Sequence, residues 1–206
     1  MMKRFRQAAV PVVVVFGLAA CASTDIRSQV DAAIANAGGY QKIMVFVAID
    51  ELGLRQDAEN EFEKRLADGE SVVVPAHQLF FPGREYSAEE LGATLADAGV
   101  GGVLVVQPAT SGTQVTRGPK RTTTEVEASA YGNRLSGTAT TTESGGYRFV
   151  KPWAKYEAVL HDATSGEVVW VASMSSGGNA FADWGDLIRS MARKTADQLL
   201  EDGVLH

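Results

Sequence analysis

Few residues in this chain are placed to do chemistry. The three imidazoles are His77, His161 and His206. No two stand three or four residues apart, the spacing that would bring them to one helix face as metal ligands. His161 and Asp162 are neighbours in a strand-like segment and so point to opposite faces. Cys21 is the single thiol, which excludes an internal disulfide and a cysteine-rich zinc site. Gly-x-Ser-x-Gly is absent, and Ser173, Ser175 and Ser176 run into Gly177-Gly178 without that nucleophile elbow. Asp50-Glu51-Leu52-Gly53 sets two negative charges where a bound phosphate would need bare main-chain N–H groups. Gly99-Val100-Gly101-Gly102 enters a strand and does not leave one, so it reads as a cap and turn. Asp50 and Glu51 are the residual enzyme case, a carboxylate pair at the carboxyl end of the first strand of the β-α-β-α-β run, where open α/β sheets place ligands. Their commoner use is to cap the helix that follows. These residues predict no catalytic group, no cofactor and no metal.

Groups suited to binding stand out more clearly. Phe80 and Phe81, followed by Pro82-Gly83, put two large apolar side chains in a loop, either tucked over a helix or offered to a partner. Arg117, Lys120 and Arg121 form the one basic cluster of a Thr-rich stretch, either a solvated hairpin tip or a contact for anionic headgroups. Phe80, Phe81, Arg117, Lys120 and Arg121 are therefore the candidate partner contacts. Tyr147, Phe149 and Trp153 are a weaker second patch.

The chain opens with basic Lys3, Arg4 and Arg6, then an apolar run to Ala20, the pattern of a signal peptide removed before folding. The apolar run is shorter than the roughly 20 residues of a spanning helix. Without residues 1–20, 186 residues remain, with 16 Lys and Arg against 25 Asp and Glu, a net charge of −9. Such a balance argues against nucleic acid and against a polybasic grip on anionic lipid. Leu18-Ala19-Ala20-Cys21 resembles the lipobox of bacterial lipoproteins. That resemblance implies a diacylglyceryl thioether on Cys21, a palmitate-type acyl anchor that holds the chain on a bilayer. Ala22, where enteric inner-membrane lipoproteins carry Asp, implies the outer membrane with the domain facing the periplasm.

The elements that would position these groups follow from periodicity. Ile26, Val30, Ala33 and Ile34 are spaced as a short linker helix over 25–37, stopped by Gly38-Gly39. A single periplasmic domain is then expected over 42–206. Ile43 to Ile49 reads as a buried strand, and Leu54, Ala58, Phe62 and Leu66 as one helix face, with Glu61 and Arg65 pairing outside it. Ser71 to Val74 is a second strand. Ser87 and Glu90 form a capping box for a helix presenting Leu91 and Leu95, and Gly102 to Val106 is a third strand. Right-handed crossovers put both helices on one face if the sheet grows in a split order, or on opposite faces if the strand order reverses. Residues 111–146 are a Thr/Gly-rich insertion, a long polar hairpin or a mobile segment. Tyr156, Ala158 and Leu160 alternate up to Asp162, and after Thr164-Ser165-Gly166 the return strand carries Trp170, Ala172 and Met174, an antiparallel hairpin. Trp184, Ile188, Met191, Ala192, Thr195 and Leu199 stripe a long final helix, beyond which His206 is expected to fray. The fold class is an α/β sandwich: β-α-β-α-β, an antiparallel hairpin and a C-terminal helix on a mixed sheet.

This order resembles the N-terminal α/β domain of the curli-secretion lipoprotein and TolB families, and the hairpin around Asp162 and Gly166 resembles the end of other bacterial lipoproteins. In those families such residues shape a turn, so the resemblance implies a structural role here. The chain lacks the β-propeller repeats of TolB, and its Thr-rich segment lacks the uninterrupted polar/apolar alternation of a barrel strand. The implied function is a lipid-anchored binding or assembly-accessory protein of the envelope, with an envelope protein as its partner. The alternatives are a structural subunit of a homo-oligomer and a periplasmic enzyme working through Asp50.

Overall fold

The computed structural model describes residues 22–117, 120–131, 134–146 and 148–206; for 35–37, 120–131 and 134–145 the description is of the backbone. In chain order the elements are β1 (Ala22–Val30), α1 (Ala32–Ala37), β2 (Lys42–Val47), α2 (Leu52–Leu66), β3 (Val72–Pro75), α3 (Ala76–Leu79), α4 (Ala88–Asp97), β4 (Gly102–Arg117), β5 (Lys120–Tyr131), β6 (Arg134–Gly145), β7 (Arg148–Asp162), β8 (Val168–Gly178) and α5 (Trp184–Glu201). Six strands make a mixed sheet in the order β1-β8-β7-β4-β2-β3, with β2 parallel to both β3 and β4 and the rest antiparallel.

The sheet has two unequal faces. Ile43, Val45 and Val47 of β2 join Leu104, Val106, Tyr156, Ala158, Leu160, Trp170 and Met174 on one face, where Phe62 of α2 and Leu187, Met191 and Leu199 of α5 close the main core. The cross-strand pairs Tyr156↔Met174, Ala158↔Ala172 and Leu160↔Trp170 supply its middle, as the alternation predicts. On the other face Met44, Ala76 and Val100 form a small second core under α3 and α4. The chain steps from β2 out to β3 and back past β2 to β4, so strand order reverses and α2 and α4 lie on opposite faces. No residue of α4 is buried, so this second layer is thin.

Three expectations need correction. The helix foreseen over 25–37 is only Ala32–Ala37, and residues 22–30 are instead an edge strand on β8, so the sheet begins well before residue 42. Ile26 and Val30 are four apart, a spacing that satisfies a period of two as well as 3.6. The backbone pairing to β8 along all of β1 decides between them. Arg65 and Glu61 do not close on one another; Arg65 reaches Asp197 at 2.7 Å and Glu61 meets Arg193 at 3.4 Å, both on α5. His206 is held, not frayed: its N–H donates to Ser71 Oγ at 2.8 Å, its carbonyl accepts from Ser71 N–H, and its ring meets the Gly38 carbonyl.

The Thr-rich insertion is strand over its described backbone up to Gly145. The β4–β7 ladder runs out to Arg117↔Arg148, and β5–β6 opens three residues further along each strand at Lys120↔Gly145, keeping one register to Tyr131↔Arg134. Beyond Gly112 and Trp153 the described ladder has two strands only. At about 3.3 Å per residue β5 and β6 alone extend roughly 40 Å. The register shifts between Pro108 and Thr110, a bulge at the ribbon's root.

The β7–β8 turn is locked by Asp162, which accepts from the N–H groups of Thr164 and Ser165 at 2.9 and 2.8 Å, while Gly166 takes φ +73°. Tyr40 O–H also donates to Asp162 at 3.0 Å. The Ser165 N–H in particular holds the carboxyl below its ordinary range, whereas burial, then the contact with Asp162, pushes the Tyr40 phenol up to about 12. A depressed carboxyl stabilises the fold fully above its unfolded pKa of about 3.9, and the contribution is lost as pH falls through the lower folded value. Asp162→Asn is therefore expected to flatten the acid limb of stability below about pH 4. Urea midpoints measured from pH 2 to 6 test this; parallel acid limbs in the two proteins would refute it.

Candidate functional site

Glu59 stands three residues before Phe62 and seven before Leu66, so the helical period turns a carboxylate into the protein on the same stripe as the apolar core. It is wholly buried. Its oxygens accept from Val47 N–H at 3.2 Å, from His77 N–H at 3.1 Å and from the His77 ring at 2.7 Å. One side chain thus ties the end of β2 to the start of α3. A carboxylate only accepts, so the ring donates from Nδ1, and Nε2 is the nitrogen left free of Glu59. Nothing in the sequence marks His77 as special, because its partner is eighteen positions away and reads as one more helix charge.

Beside this pair, the thin second layer leaves a cavity of about 370 Å³ between β2, α4 and the Phe80–Tyr86 loop. Met44, Phe46, Phe80 and Leu91 give it apolar walls, with His77 and Glu59 on one side. Two cations join them. The Arg55 guanidinium lies 5.6 Å from the Phe46 ring centre and donates twice to Ile49 O, at 2.9 and 2.7 Å. Arg84 lies 4.8 Å over the Tyr86 ring, with a long contact of 3.5 Å to Glu90.

The structure separates the sequence-predicted contacts. Phe80 is half-buried and packs edge-on against Tyr86 with ring centres 5.1 Å apart, whereas Phe81 is 75% exposed. Arg117 is exposed on the ribbon, far along the chain from either phenylalanine and on a different element. The side chains of Lys120 and Arg121 lie outside the described residues, as do Cys21 and Tyr147 altogether. Asp50 and Glu51 are exposed beside a shallow cleft of about 280 Å³ with Leu54, Tyr156 and Trp184, and no third acidic or imidazole group lines it. Glu51 holds the N-cap position of α2 without a side-chain capping hydrogen bond, so the cap expected of these residues is not made. Among the described residues no group of three His, Cys, Asp or Glu is placed to hold a metal ion.

One more feature is topological. Ser23, Gly177, Trp153 and Gly112 stand side by side in one row across β1, β8, β7 and β4. Ser23, two residues after Cys21, and the root of the ribbon therefore share one edge of the sheet. Trp153, Trp184 and Phe181, 38%, 38% and 60% exposed, lie on the same edge.

No protein-family model matches the chain, and no curated protein matches it. Among solved structures it is similar to the PelC dodecamer from Paraburkholderia phytofirmans, at 15% identity and a TM-score of 0.47, covering 89% of this chain and 99% of that one. It is also similar to the lipoprotein GNA1162 from Neisseria meningitidis, at 13% identity and a TM-score of 0.41, covering 78% and 98%.

Proposed function

We propose that this chain is an outer-membrane lipoprotein, acylated at Cys21 and facing the periplasm, that serves without catalysis as a subunit of a homo-oligomeric envelope assembly. The observation that carries the reading is the shared edge: Ser23, two residues after Cys21, stands on one row of the sheet with Trp153 and Gly112 at the root of the ribbon. Because β1 starts at Ala22, no slack separates the anchor from the folded sheet, and acyl chains there hold this edge against the bilayer. Exposed Trp153, Trp184 and Phe181 suit the apolar-to-polar boundary on which such an edge rests. Ala22 in the position after the lipobox cysteine favours the outer membrane.

Self-association is argued from the ribbon. An isolated two-stranded ladder is marginal in water, and this one leaves the cross-strand pair Val115 and Val150 40% and 44% exposed. Copies tethered to one membrane at high local concentration can cover one another's ribbons with only modest affinity per contact. PelC is a dodecamer; self-association of this chain is put to the test directly.

Mass spectrometry of the natively expressed protein is expected to find a diacylglyceryl thioether on Cys21, and Cys21→Ala to move the protein from the membrane to the soluble fraction. Light scattering of the detergent-solubilised chain is expected to give a multimer, and removal of residues 120–145 to reduce it to a monomer. An unmodified Cys21 overturns the anchor, and a full chain that runs as a monomer overturns the assembly.

A further inference from the structure

The geometry points to the cavity beside Glu59 and His77 as a binding site for a small amphipathic acid, an apolar ring or short chain carrying a carboxylate. Its volume of about 370 Å³ falls in the range of small-molecule sites. The cover over this hollow is thin: α4 buries nothing and Leu91 remains 38% exposed above the cavity. The walls from Met44, Phe46 and Phe80 suit an apolar body.

The polar groups select the head. Glu59 takes the Nδ1 proton of His77, which fixes the ring; in the imidazolium form its Nε2–H then donates to a carboxylate. Arg84 is held over Tyr86, and among the described residues its one ion-pair contact is the long one to Glu90, so its other N–H donors are available to a carboxylate. Arg55, anchored twice to Ile49 O, adds fixed positive charge at the wall and offsets the buried Glu59. In a chain of net charge −9 after signal removal, a cavity with two guanidinium groups is a local exception. A neutral amide of the same shape would fill the walls but offer a single acceptor oxygen and no charge, leaving part of this donor set unmatched.

The test uses the full-length acylated protein in nonionic detergent, with its histidines labelled with ¹³C at Cε1, titrated with phenylacetate. The His77 resonance is expected to shift saturably while those of His161 and His206 stay in place. Phenylacetamide, and phenylacetate on Arg84→Ala, are each expected to bind at least tenfold more weakly. Leu91→Trp, at a position exposed enough to keep the fold by circular dichroism, is expected to fill the hollow and abolish the shift. Equal binding of acid and amide, an unchanged titration in Leu91→Trp, or a linear drift of all three histidines would each overturn the assignment.

Discussion

Glu59→Ala is expected to destabilise the folded chain by about 3–5 kcal/mol, the range for removing one partner of a buried charged contact. The reason lies in what is left behind. The substitution strips the acceptor from Val47 N–H and from His77 N–H, and each buried donor without a partner costs about 1–3 kcal/mol. A typical domain has only about 5–15 kcal/mol to lose. Glu59→Gln separates this account from one of lost volume. An amide has a single acceptor oxygen, so whichever way it turns, one of those main-chain donors faces an NH₂ group. An intermediate loss of about 1–3 kcal/mol is expected. Glu63→Ala, one turn further along the helix and only half-buried, loses no more than long contacts of 3.4 and 3.5 Å from Gln78 and should stay within about 0.5 kcal/mol. Urea unfolding followed by circular dichroism reads all three, and a Glu59→Ala midpoint equal to that of Glu63→Ala would reject the role given to the carboxylate.

That carboxylate also shows where sequence reading stops. The stripe of α2 is legible because Ala58, Phe62 and Leu66 are apolar at helical spacing. Glu59 lies on the same stripe, but a charge there reads as solvent-facing until the unmatched N–H groups of β2 and α3 come into view. Those donors are set by tertiary placement, and no local pattern encodes them. The β7–β8 hairpin was readable for the opposite reason: both strands alternate, and Asp162 and Gly166 mark the turn between them. In β1, Ala22, Thr24 and Ser28 are too small and polar to show a period of two, and Ile26 and Val30 fit either period.

The Thr-rich segment lay between these cases. Its β propensity gave strands, yet register depends on pairing partners, and only the pairings Thr110↔Lys155 to Arg117↔Arg148 and Lys120↔Gly145 to Tyr131↔Arg134 show two ladders in the same register. The expected order of a β-α-β-α-β run, an antiparallel hairpin and a C-terminal helix is the one the mixed sheet shows, with β1 added at its edge. Of the proposed partner contacts, the structure leaves Phe81 and Arg117 exposed and takes Phe80 into the second core. Phe80 and Phe81 are adjacent and chemically alike, so only Tyr86, meeting Phe80 edge-on, distinguishes them.

Trp170→Ala is expected to cost about 3–5 kcal/mol, the range for deleting a buried aromatic side chain. Trp170 is 1% exposed and is the largest fully buried side chain described. It faces Leu160 across the hairpin and Val30 across the edge pairing, so its loss loosens β7, β8 and β1 together. Size is only part of its role. Its Nε1–H donates to Asp202 at 2.7 Å, and Asp202 is the C-cap of α5, where the negative end of the helix disfavours a carboxylate. The indole supplies a donor to that carboxylate from the sheet, and Gln198 adds a second at 3.0 Å. Trp170→Phe keeps most of the ring and removes the donor, so a smaller loss of about 1.5–3 kcal/mol is expected, the value of a hydrogen bond to a charged group. Asp202→Ala removes the same bond from the other side. A double-mutant cycle of Trp170→Phe with Asp202→Ala, read by urea unfolding, should give a coupling of at least about 1 kcal/mol. Additive losses would mean that Trp170 acts through packing alone and that the end of α5 is held by its apolar stripe without the indole.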